Sequence, residues 1–242
     1  VDSQTRHALK EDKFVYATTS SLGWLELHRG QVIRLSIAIV IVLAAIIGGA
    51  AVYEHRRAEA SVALGQALEI YNTALRQPGE PDDGSFTSST DRAKAANAKF
   101  VDVANRYGSL GPGKTARYFA GLTDIDLGKM GEAETNLKSV AASYNKDLAS
   151  LAKVALAGLY VQTGRTSEAV DLYKQLIAKP TDTVPASAAQ LQLAQIYEKT
   201  DPQQARQIYA VLKDKDKATA AGQIAAQKLN PAAAAQPGVQ AQ

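Results

Sequence analysis

Residues 157–173 read AGLYVQTGRTSEAVDLY, and the same order of small, turn and bulky positions returns at 121–137, GLTDIDLGKMGEAETNL, and at 194–209, AQIYEKTDPQQARQIY. Gly128 and Gly164 lie 36 residues apart; Ala133, Ala169 and Ala205 keep that interval, as do Leu137, Tyr173 and Tyr209. Ala96 and Phe100 repeat the pair 37 residues before Ala133 and Leu137. A small residue followed four positions later by a large one puts both on one helical face, so that one helix approaches closely while the large side chain fills the next groove. A fixed period of this length is what stacked helical hairpins produce. The chain therefore reads as all-α, an α-solenoid.

Composition agrees. Alanine occurs 44 times among 242 residues, and Ala favours helix because it loses no side-chain entropy. Lys plus Arg number 27 against 24 for Asp plus Glu, an excess too small for a general nucleic-acid binder, so no nucleic acid is expected as partner. With no cysteine there are no disulfides, thiolate nucleophiles, iron–sulfur clusters or Cys-ligated zinc. The three histidines, His7, His28 and His55, leave everything beyond residue 55 without an imidazole, and no metal site is expected there.

From Leu35 to Tyr53 the run LSIAIVIVLAAIIGGAAVY carries no charge over 19 residues, about one hydrocarbon core at 1.5 Å per residue. It reads as a single transmembrane helix. A cleaved signal peptide is the rival reading, but its apolar region is shorter and follows a short leader, whereas 34 residues precede this one. Arg29 and Arg34 before the span balance Arg56 and Arg57 after it, and Arg6, Lys10 and Lys13 tip the count toward a cytoplasmic N-terminus. In the tail 1–34, Leu22, Trp24, Leu25 and Leu27 before His28 and Arg29 fit an interfacial helix or a partly ordered leader equally well. A repeat domain is expected over 54–229, with a first helix over 54–76, a mobile loop over 77–90 and a second helix over 91–107. The uncharged end, 230–242, is expected to be disordered.

On these residues the chain resembles the tetratricopeptide repeat family, whose helix–turn–helix units keep small, glycine and large apolar positions in fixed order. Ala157, Tyr160, Gly164, Ala169 and Tyr173 match best; Gly121, Gly128, Ala133 and Leu137 run parallel, with Asp124 where an aromatic is usual. The last unit has Ala194, Tyr197, Ala205 and Tyr209, but Thr200, Asp201 and Pro202 replace the turn glycine. The resemblance implies an array whose inner face is lined by the first helix of each hairpin. On that phasing the candidate protein-binding residues are Tyr118, Leu122 and Ile125, then Val154, Gly158 and Val161, then Leu191, Gln195 and Glu198. The Lys and Asn with which some relatives clamp a C-terminal carboxylate are missing, and an apolar groove would suit an extended or helical peptide.

Residues 108–115, GSLGPGKT, satisfy the phosphate-loop pattern G-x-x-x-x-G-K-[ST] through Gly108, Gly113, Lys114 and Thr115. That chemistry needs a buried strand leading into the loop. DRAKAANAKFVDVANRY, which precedes it, has helical spacing, so Gly108 is expected to cap one helix, Gly111 and Pro112 to turn, and Gly113 to Thr115 to start the next; no nucleotide and no other cofactor is expected. The acidic trio Glu80, Asp82 and Asp83 lacks Ca²⁺-loop spacing. Asp124 with Asp126, and Glu132 with Glu134, stand two apart on a helix and point to different faces, so no enzyme is expected.

The whole arrangement, a tail, one span and then divergent hairpins, resembles the YfgM-like ancillary subunits of the bacterial SecYEG translocon over about residues 35–229. The resemblance implies an inner-membrane protein with its domain in the periplasm, whose partners are the translocon and periplasmic chaperones or clients. The alternative is a structural scaffold for another envelope complex serving division, cell wall or outer-membrane biogenesis.

Overall fold

The uncharged run is followed, with no proline, by a helix-favouring stretch from Glu54 to Asn72, so the backbone has no reason to leave the helix at residue 54. The computed structural model describes residues 28–77, 79 and 84–230. In it a single helix, α1, spans Arg29–Asn72 over 44 residues, about 66 Å. The expected first repeat helix is thus the continuation of the apolar one. It ends at Asn72 and not near residue 76, where Thr73 turns its N–H to the Ile70 carbonyl and gives its own carbonyl to the Arg92 guanidinium at 2.8 Å.

Eight more helices follow among the described residues: α2 Ser89–Arg106, α3 Gly111–Asp126, α4 Met130–Ala141, α5 Lys146–Gln162, α6 Thr166–Ala178, α7 Ala186–Thr200, α8 Pro202–Lys215 and α9 Ala220–Leu229. The expectations for residues 1–27, the acidic trio and residues 231–242 lie outside the described residues. The chain divides into two compact units, Val1–Arg56 and Arg57–Gln242. In the described part of the first unit, α1 exposes its apolar side chains, Ile39, Ile41, Leu43 and Ile46 among them. This helix is long and apolar enough to cross a membrane.

In the second unit each helix from α2 onward packs against the next, and α3 also meets α5, as α7 meets α9. The small–large pairs form the core: Ala96 with Phe100, Ala133 with Leu137, Ala169 with Tyr173 and Ala205 with Tyr209 are all buried. Two clusters result. One joins Ala60 and Ala67 of α1 to Phe100 and Val103 of α2 and Ala116 and Ala120 of α3, with Phe100 stacked on Phe119 at 5.2 Å and Tyr71 edge-on to both. The larger runs from α4 to α9.

The two glycine turns are copies of each other. Gly128 (φ 74°) and Gly164 (φ 77°) occupy the left-handed region, which costs any other residue about 1–2 kcal/mol. Lys129 N–H reaches the Asp124 carbonyl and Gly128 N–H that of Ile125; Arg165 and Gly164 do the same to Tyr160 and Val161. Helix carbonyls that would otherwise lack donors are thereby satisfied. The α7–α8 turn manages without glycine because Asp201 serves both helices. Its N–H closes α7 on the Tyr197 carbonyl, its carboxylate accepts the Gln204 N–H at 3.1 Å, and Pro202 opens α8.

Candidate functional site

The inner-face candidates sit on the first helices of the hairpins. α3 carries Tyr118, Leu122 and Ile125, all half-buried; α5 carries Val154, half-buried, and Gly158 and Val161, exposed; α7 carries Gln195, half-buried, and Leu191, which is buried. Leu191 is core, only 7% exposed, because it packs within the larger cluster. Tyr118, Ile125 and Val154 lean against the same cluster. Burial pushes the Tyr118 phenol above its usual pKa, with a smaller push from Tyr71.

Three of the candidates converge. Gly158, Val161 and Gln195 line a cleft of about 260 Å³ between α5, α6 and α7, together with Thr166, Tyr173, Gln192, Ile196, Lys199 and Thr200. Its lining combines apolar groups, from Val161, Tyr173 and Ile196, with amides, hydroxyls and the Lys199 ammonium. Polar groups of this kind pair with a peptide backbone while the apolar ones accept a side chain. Of the α7 lining the family phasing names Gln195 alone, yet Gln192, Gln195, Ile196 and Lys199 form an i, i+3, i+4, i+7 stripe that is readable in LQLAQIYEKT.

A second cleft, about 320 Å³, lies four helices earlier, between α1, α2 and α3, where Tyr71, Ser89, Thr90, Arg92, Ala93 and Asp126 meet. It is more polar. Burial raises the Asp126 carboxyl above its ordinary pKa, and the Arg92 charge opposes that.

The third repeat is fastened to the second by an ionic cluster. Arg165 pairs with Glu134 at 2.7 Å and with Glu168 at 2.5 Å, and its guanidinium lies 4.1 Å from the Tyr160 ring centre. Tyr160 Oη donates to Glu134 Oε1 at 3.0 Å, and Lys138 meets the same oxygen at 2.6 Å. The Arg165 hydrogen bond, then that of Lys138, holds the Glu134 carboxyl down at about 2. A smaller version recurs between α7, α8 and α9: Glu198 accepts from Tyr209 Oη at 2.8 Å and pairs with Lys228 at 3.0 Å.

The phosphate-loop pattern spans the turn after α2 and the first residues of α3. α2 ends at Arg106, and α3 begins at Gly111, two residues before the expected Gly113, because Pro112 is well placed in a first helical turn. A Cβ on Gly113 would stand 1.9 Å from the Tyr107 carbonyl oxygen, so this glycine serves the close approach of the turn. Lys114 N–H donates to the Leu110 carbonyl at 3.1 Å and Leu110 N–H to that of Tyr107 at 2.9 Å. Among the described residues no group of three or more His, Asp or Glu side chains is placed to hold a metal.

No curated protein and no solved structure matches the chain. A family model described as a tetratricopeptide repeat-like domain matches residues 30–175, from the start of α1 to near the end of α6 and over more than half of the sequence. With its hairpins, its glycine turns and its buried small–large pairs, the chain belongs to the tetratricopeptide repeat-like domain family.

Proposed function

We propose that this chain is a membrane-anchored protein-binding module that acts beside the SecYEG translocon as an ancillary subunit and helps newly exported proteins pass to periplasmic chaperones. In this reading α1 holds it in the bacterial inner membrane, with the N-terminus in the cytoplasm and the repeat domain in the periplasm. The cleft between α5, α6 and α7 carries the proposal: apolar side chains beside amides and hydroxyls suit a peptide segment of a client or partner. Two further facts support it. Domains of this family are typically protein-interaction modules, and the family match takes in the apolar helix along with the hairpins. The inner-face residues Tyr118, Leu122, Ile125 and Val154 extend the same surface, while Leu191 supports it from beneath.

A photo-crosslinking residue at Val161, introduced into the full-length protein in its native membrane, tests the reading. Mass spectrometry of the adducts is expected to return the translocon channel, periplasmic chaperones or exported clients. Adducts with a different envelope complex and none with the translocon would retire the export role in favour of a scaffold.

A further inference from the structure

A cleft of about 300 Å³, sharing no residue with the α5–α7 site, opens between the first turns of α3 and the α4–α5 turn. Lys114 and Arg117 stand on one side of it; Ser139, Val140, Ser143 and Tyr144 stand on the other, and no carboxylate lines it. Three cations elsewhere on the domain are answered by a carboxylate: Lys138 by Glu134, Lys129 by Glu132, Lys228 by Glu198. Lys114 has neither a hydrogen bond from its ammonium nor an ion pair among the described residues. Arg117 gives one N–H to the Ala104 carbonyl at 3.2 Å and leaves the other donors of its guanidinium uncommitted. Tyr144 is 98% exposed, an unusual position for an aromatic ring with nothing against it.

Two unanswered cations in a concavity call for an anion. A phosphate cradle is built from converging backbone N–H groups, and here those of Leu110 and Lys114 already close the turn on Tyr107 and Leu110. What remains is a pair of cationic side chains beside an exposed ring. That spacing suits several carboxylates along a chain, with an apolar residue between them. We infer that this cleft is a second docking site, for an acidic peptide segment of a protein partner, in which Lys114 and Arg117 pair with carboxylates and Tyr144 packs against the segment's apolar side chain. It places a charge-reading contact on a different part of the array from the apolar groove, so one partner can be gripped at two points or two partners held at once.

The test uses the full-length chain in phosphatidylcholine nanodiscs and a fluorescein-labelled peptide with a run of glutamates around one leucine, read by anisotropy. The glutamate peptide is expected to bind, more weakly as sodium chloride is raised, and its glutamine counterpart is not. Lys114→Glu is expected to weaken binding about tenfold, since it replaces attraction by repulsion, and Tyr144→Ala to weaken it several-fold, while Val161→Glu in the other cleft leaves it unchanged. Helical circular dichroism checks that the variants are folded; should Lys114→Glu lose helicity, Lys114→Gln removes the charge without adding one. Unchanged binding in folded Lys114 variants, or equal binding of the glutamine peptide, overturns the proposal. Displacement of the peptide by pyrophosphate at equal concentration overturns it too, in favour of a phosphate site.

Discussion

Asp124 stands where the neighbouring unit has Tyr160, and it is fully buried without a cation beside it. Its two oxygens accept the amide N–H groups of Asn97 at 2.7 Å and Asn136 at 2.9 Å, so one carboxylate ties α2, α3 and α4 together. The departure from the family pattern is thus a polar cross-link in place of an aromatic plug. Asp124→Ala removes the acceptor of Asn136, whereas Asn97 retains Thr123 Oγ1 and the Ala120 carbonyl. The expected loss is about 1–3 kcal/mol, measured by urea unfolding of the detergent-solubilised chain. Nothing in the sequence announces this triad, because its members lie 27 and 12 residues apart and meet only once the helices pack.

At the scale of elements, the turns and the helix faces were legible and the links between hairpins were not. Gly128 and Gly164 could be placed because a left-handed turn leaves a mark in the sequence, and the buried alanines because close helix approach excludes larger residues. The ionic cluster that fastens α4 to α5 and α6 left no such mark: Glu134 had been set beside Glu132 only as one of two carboxylates diverging on a helix. Its pH behaviour follows from the direction of its shift. The folded-state pKa of Glu134 lies at about 2 against 4.5 for the free group, so its contribution is complete above pH 4.5 and is lost as the pH falls from there toward about 2. Glu134→Gln, with no carboxylate to protonate at that position, is expected to show a shallower loss of stability over that window. Thermal melts of the two proteins side by side, from neutral pH into the acid range, make the comparison.

At the scale of the whole molecule, α1 is the element in which the sequence reading met its limit. The apolar run is plain and a helix is expected directly after it, but only the structure joins the two: the helical backbone runs unbroken to Asn72 because residues 54–72 have no proline to stop it. Family phasing names a helix face but not the depth of a position on it, and Leu191 is filled in by its neighbours. If α1 spans a bilayer, the chain is expected to stay in the membrane pellet through an alkaline carbonate wash. Ile41→Lys with Ile46→Lys, at about 2.5–3.5 kcal/mol for each charge near the bilayer centre, is expected to release a fraction of it.

The one-dimensional packing from α2 to α9, in which a helix touches its sequence neighbours and at most one helix beyond them, also decides how the domain yields to force. No long-range strand or crossing segment among the described residues locks the C-terminal hairpins to the N-terminal ones. Traction applied at α9 therefore strips the array from its free end, first where Lys228 leaves Glu198 and then hairpin by hairpin, and meets a heavier catch at Glu134, where the Arg165 ion pair and the Tyr160 hydrogen bond must part together. A machine pulling on the C-terminus would then leave a shortened, still folded stub, and the stretch from α1 to α5 is the part built to survive it.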